Sequence, residues 1–190
     1  MRVAIRLAVS SLLSCLAFSA LAAQSFPAPP VKPGLWEAKS SALDADGHET
    51  APPEQAAMAR MPPEVRARMA EAMKGRGLAM PDANGATRVC LSKEMFESGG
   101  WQQMASDAGC TTTFSSRSGS TWKWHSTCAK LQSETDGEAV FSSPESYRTK
   151  MTTTMTMRGT TNTSTRIVQA KWLGADCGDV KPITPSSLGR

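Results

Sequence analysis

Between residues 110 and 173 threonine and serine alternate with spaced apolar residues, and this period of two is what most restricts the fold of the chain. Successive side chains of an extended strand point to opposite faces, so the alternation sorts them into two chemically distinct sets. Trp122, Trp124, Ser126 and Cys128 share one side while Lys123, His125 and Thr127 share the other. Met151, Thr153, Met155 and Met157 likewise stand opposite Thr152, Thr154 and Thr156. An apolar side backed by a hydroxyl side is the pattern of an antiparallel sheet with one wet face. The spacing predicts five successive strands, at residues 110–116, 120–128, 137–141, 147–157 and 160–173, with hairpin turns at Gly119 and at Arg158-Gly159.

The preceding half is less regular. Pro27, Pro29, Pro30 and Pro33 make residues 23–33 an extended arm, and a strand at residues 35–42 follows with Trp36 as its apolar anchor. Residues 43–86 change composition to Ala, Met, Pro, Glu and Arg without aromatics, which marks an insertion. Within it Pro62-Pro63-Glu64 is a good helix start, because proline tolerates the first turn and an acidic side chain complements the helix dipole. Met61, Val65, Met69, Ala72 and Met73 fall near one face and Gly75 and Gly77 supply a stop, so one amphipathic helix is expected, packing its apolar face on the sheet. A strand at 87–91 precedes Ser92, a helix N-cap, and short helical turns through residue 108. The fold expected is mainly β with minor α: a curved antiparallel sheet or barrel-like meander of six to seven strands with one or two inserted short helices. It forms one domain over residues 34–180, followed by a disordered tail at 181–190.

Arg2 and Arg6, an apolar run from Leu7 to Leu21 and the small-x-small pattern Ala20-Leu21-Ala22 read as a signal peptide at residues 1–22. The expected location is the periplasm or the secreted medium. Leu12-Leu13-Ser14-Cys15 offers a competing reading as a lipobox that anchors a lipoprotein through Cys15, although the apolar run continues past that cysteine. No later apolar stretch is long enough to span a bilayer. Of the 21 basic residues Arg2 and Arg6 leave with the leader, so 19 remain against 17 acidic ones, too near balance to argue for a nucleic-acid partner. Cys90, Cys110, Cys128 and Cys177 then read as two disulfides. Of the three possible pairings, Cys90–Cys110 and Cys128–Cys177 are expected, the first tying a helical connection to the next strand and the second tying the last strand to the sheet.

Pro33-Gly34-Leu35-Trp36-Glu37, Val89-Cys90-Leu91-Ser92, Gly109-Cys110, the Trp-rich strand ending in Thr127-Cys128, the Met/Thr strand at 151–157 and Leu173-Gly174-x-x-Cys177 together resemble the domain of unknown function 3617. The likeness spans residues 33–177. It implies an exported, mostly bacterial protein with paired cysteines, a β-rich body and no assigned activity, and it supplies no catalytic residue.

The residues themselves carry little chemistry. No catalytic constellation is expected, since His125 has neither a nucleophile elbow nor an orienting acid in its sequence neighbourhood. Asp44, Asp46 and His48 form an acidic turn that lacks the spacing of a calcium loop. Eleven methionines raise a copper alternative with Met61, Met69, Met73 and His125 as ligands, set against methionine's ordinary use as core filler. Trp122, Trp124, Met155 and Met157 are the candidate contacts of an apolar or lipid-like ligand in a sheet cavity. No cofactor is implied. The functional expectation is a non-enzymatic periplasmic binding or envelope-associated protein, whose partner would be an apolar ligand or an envelope protein.

Overall fold

The alternating segment does form a meander in the computed structural model, which describes residues 28–75, 77–82, 84–97, 99, 106 and 108–184. The signal peptide, Cys15, the start of the proline-rich arm, most of the turn before Cys110 and residues 185–190 lie outside the described residues. In chain order the elements are β1 (Gly34–Leu43), β2 (Glu49–Thr50), α1 (Pro53–Ala59), α2 (Pro63–Gly75), β3 (Ala86–Leu91), α3 (Lys93–Glu97), β4 (Cys110–Ser118), β5 (Thr121–Cys128), β6 (Ser133–Ser143), β7 (Ser146–Met157), β8 (Thr160–Gly174) and β9 (Pro182–Ile183). A 3-10 turn, Ala129–Leu131, links β5 to β6.

All nine strands belong to one sheet in the order β4-β5-β6-β7-β8-β1-β3-β9, with β2 paired to β1. Every pairing is antiparallel except β3 with β9. The sheet is open, with β4 at one edge and β9 at the other, so the barrel-like alternative does not hold. β6 starts four residues before the expected boundary, because Ser133, Glu134, Thr135 and Asp136 pair with β5 and β7 although they are polar on both faces.

The best-buried part of the inner face lies where β1 joins β8 and β3. Trp36, Leu91 and Ala170 form a buried cluster against which Val31, Val89, Phe96, Tyr147 and Trp172 pack. The Trp36 indole N–H donates to the Lys32 carbonyl at 2.9 Å, and the Trp172 indole N–H donates to the Pro33 carbonyl at 3.1 Å. Gly34 sits between them at φ +130°, and a Cβ there would collide with the Gly174 carbonyl. The Pro-Gly-Leu-Trp stretch is thus a backbone approach only glycine permits, followed by the side chain that fills the core. α3 closes this end. Ser92 caps it, its hydroxyl oxygen accepting the Met95 N–H at 3.2 Å, and the Met95 side chain is fully buried.

Three expectations are corrected. The disulfides are Cys110–Cys128 and Cys90–Cys177, in place of Cys90–Cys110 and Cys128–Cys177. Cys110 and Cys128 are direct register partners across the β4–β5 hairpin, with their Cα atoms 4.0 Å apart. Cys90 lies on β3, six strand steps from β4. At the usual strand spacing that is on the order of 29 Å, far beyond the roughly 7 Å over which a disulfide can close. The second correction concerns the tail: within residues 181–190, Pro182–Ile183 forms β9 on β3 and buries Ile183. The third concerns the insertion. Its helix α2 begins at Pro63 as expected, but it buries no residue and leaves Val65 exposed, so it does not complete the core.

Peptide mapping under non-reducing conditions should recover the two observed pairs and neither expected one. Converting both cysteines of a bridge to alanine should cost about 4.6 kcal/mol for Cys90–Cys177 and about 3.2 kcal/mol for Cys110–Cys128 in urea unfolding, because the bridges span 87 and 18 residues and loop-closure entropy grows with loop length.

Candidate functional site

The sheet register fixes which side chains share a face, and on the inner face it assembles a file of aromatic rings. Trp36 meets Tyr147 at 5.3 Å between ring centroids, Tyr147 meets Phe141 at 5.9 Å, and Phe141 meets Trp122 at 5.3 Å. Phe114 continues the file, 5.9 Å from Trp122 and 6.3 Å from Trp124. The rings are tilted or edge-on, the arrangement favoured by their quadrupoles. The file starts in the buried cluster around Trp36 and runs onto β4, β5 and β6, where Phe114, Trp122 and Trp124 are only half-buried. Trp124 lies over Gly137, its register partner on β6.

Beyond the file the inner face turns polar. Thr112, Ser126, Thr135, Thr153 and Ser164 form one cross-strand row, with hydrogen bonds of 3.0 Å between Thr112 and Ser126 and 2.9 Å between Thr135 and Thr153. Met155 is one row further on, half-buried, and Met157 is 60% exposed at the end of the β7–β8 hairpin. Of the four expected ligand contacts, therefore, Trp122 and Trp124 join one apolar surface with Phe114 and Met151. Met155 is separated from them by the hydroxyl row, and Met157 lies at the rim. Among the described residues one depression of about 320 Å³ lies on the outer face beside Lys39, Arg148 and Lys171, and another of about 260 Å³ lies beside α2 and the Val180 loop. Neither includes any of those four residues.

The copper alternative is not assembled. Met61, Met69 and Met73 belong to the α2 region, whose chain runs directly into Leu78, bridged to Val89 on β3. His125 stands on β5 near the opposite edge of the sheet, and on its outer face. Its Nδ1 is 2.9 Å from Asp136 Oδ1 and its Nε2 is 3.3 Å from Thr127 Oγ1. Asp136 was not visible as a partner in the sequence, since only the β5–β6 register sets it opposite His125. This hydroxyl–imidazole–carboxylate line has the order of a nucleophile, a base and its orienting acid. It lies on the solvent-facing side of the sheet, and β5 is paired on both sides, so its own N–H groups are engaged by the neighbouring strands. In the acidic turn, Asp44 Oδ1 accepts the N–H groups of Asp46 at 3.0 Å and His48 at 2.9 Å, so this carboxylate organises the turn.

Two measurements follow from this packing. Gly137→Ala should displace the Trp124 ring, lowering stability by about 1–3 kcal/mol in urea unfolding and red-shifting tryptophan emission. Burial raises the Tyr147 phenol above its ordinary value of 10.0. The folded chain then holds a proton that the unfolded chain has released, so stability should be intact below that value and fall as pH climbs through it toward the raised one. Tyr147→Phe should flatten this alkaline limb in pH-dependent unfolding while leaving the neutral-pH midpoint close to that of the parent.

A 115-residue stretch is 32% identical to a Pseudomonas putida protein described as "Uncharacterized protein in lpd-3 5'region", covering 58% of this chain and 77% of that one. No solved structure matches. The family described as "Protein of unknown function (DUF3617)" matches residues 31–177, from the arm that receives the two indole hydrogen bonds to the second cysteine of the longer bridge. The chain belongs to that family.

Proposed function

We propose that the chain is exported through its N-terminal leader and acts in the periplasm, without chemistry of its own, as an envelope-associated binding protein. Its binding surface is the half-buried aromatic stretch of the inner sheet face at Phe114, Trp122, Trp124 and Met151. One observation carries the reading: the aromatic file leaves the buried core and continues across β4–β6, where α1 and α2 contribute no buried residue to cover it. An apolar strip of this kind on an exported sheet, with the Arg117 guanidinium over its Phe114 end at 4.0 Å from the ring centroid, suits an apolar ligand or an apolar segment of an envelope protein laid across Trp122 and Trp124. The two disulfides agree with an oxidising compartment. The face is shallow, which favours docking on the sheet over enclosure in a cavity.

Fractionation of host cells should find the chain in the periplasm, cleaved near Ala23; an uncleaved cytoplasmic chain would overturn export. Native mass spectrometry of the exported protein should show a retained lipid-like mass or partner chain, lost in a Trp122→Ala/Trp124→Ala variant that keeps its far-UV dichroism. A bare parent chain, or retention undiminished in the variant, would refute the role of this face.

A further inference from the structure

The outer face of the sheet carries a separate feature that the aromatic surface does not explain. Between β1, β7 and β8 lies the depression of about 320 Å³, at the small end of the range of ligand sites, roughly 300–1,000 Å³. Register builds it from two adjacent rows: Arg148, Gln169 and Lys39 in one, Ser146, Lys171 and Glu37 in the next. Three cations thus converge where the lining holds a single carboxylate, Glu37. Among the described residues Lys39 and Lys171 are within ion-pair distance of no acidic group, while Arg148 gives one N–H to Glu49 at 2.8 Å. The Glu49 carboxyl is held below the usual carboxylate range by the Ser41 hydroxyl first and by Arg148 next, with Lys39 adding to the positive field. Gln169 stands between Arg148 and Lys39 in one row and Lys171 stands opposite Glu37 in the next, so what a bound anion relieves is the net positive field of the depression.

We propose that this depression binds a small anion bearing two or more oxyanion groups, of the diphosphate or phosphorylated-sugar class. Multiplicity follows from exposure. A single solvated charge contact contributes little, so a monovalent anion would gain almost nothing, whereas one ligand reaching Lys39, Lys171 and the remaining guanidinium donors of Arg148 adds several contacts at once. Gln169 and Ser146 provide neutral hydrogen-bonding groups between those charges.

The test uses inorganic pyrophosphate, titrated into the isotope-labelled protein at low ionic strength. Amide resonances of Lys39, Arg148, Gln169 and Lys171 should move in a saturable way. The apparent dissociation constant should rise about tenfold in Lys39→Gln/Lys171→Gln, two exposed charge contacts being lost, and again for the parent at about 0.5 M salt, where screening is strong. Both substituted side chains are on the surface, and an unchanged resonance dispersion verifies the fold. Co-sedimentation with vesicles containing cardiolipin, whose headgroup carries two phosphates, distinguishes the source: sedimentation abolished by the double variant identifies a lipid headgroup, and pyrophosphate binding without sedimentation identifies a soluble ligand. Absent resonance shifts, shifts confined to other strands, or a double variant that binds as tightly as its parent would each overturn the site. These readouts are independent of export and of the aromatic face.

Discussion

A single-layered sheet has to bury apolar surface without a second sheet to pack on, and the aromatic file from Trp36 to Trp124 is how this chain meets that constraint. Large rings on neighbouring strands cover one another, so part of the inner face is shielded by side chains of the sheet itself. The arrangement needs flat, close-lying backbone at two points, and glycine provides it at both. Gly137 admits the Trp124 ring, and Gly34 admits the Gly174 carbonyl so that Trp36 can seat fully buried. Lys32 then straps the far end, its ammonium 2.6 Å from Glu145 and 4.9 Å from the centroid of the Trp172 ring.

An open sheet is weakest at its margins, where each edge strand has one neighbour instead of two. The two disulfides are placed there. Cys110–Cys128 joins β4, the last strand on one side, to β5, and Cys90–Cys177 holds the loop leading to β9 against β3 on the other. Neither bridge crosses the middle of the sheet, where β1, β6, β7 and β8 have partners on both sides and the aromatic file supplies the packing. Covalent and non-covalent stabilisation are therefore divided by position.

The division also explains what could be read from residue order and what could not. The β4–β5 and β7–β8 hairpins were legible because Trp122, Trp124 and the Met/Thr run sort by face within one strand, which is local information. β6 was legible only in its apolar half, because Ser133 to Asp136 look like a turn until strands lie on both sides of them. The cysteine pairing and the His125–Asp136 contact depend on strand order, which no period within a strand encodes. β1 pairs with β8, more than a hundred residues later, and that long-range choice moves Cys90 away from Cys110 and toward Cys177. Ile183 escaped notice for a related reason: two residues are too short to show a period, yet their parallel pairing with β3 buries one of them.

The two ends of the outer face differ in whether their polar groups are already satisfied. Toward the β7–β8 turn, Thr152 pairs with Thr165, Thr154 with Thr163 and Thr156 with Thr161, at 3.0, 3.0 and 3.1 Å. His125 is engaged by Asp136 and Thr127, and Lys123 by Glu138, whose carboxyl is lowered by that contact. A partner approaching here would have to displace bonds the sheet has already made. Toward β1 Arg148 is engaged by Glu49, but Lys39 and Lys171 are exposed and the lining of the depression holds one carboxylate against three cations. Hydrogen-bonding capacity left open is what a ligand can use without loss elsewhere. The basic depression offers such capacity at Lys39 and Lys171, on the side of the sheet away from the apolar strip, so occupation of one surface leaves the other accessible.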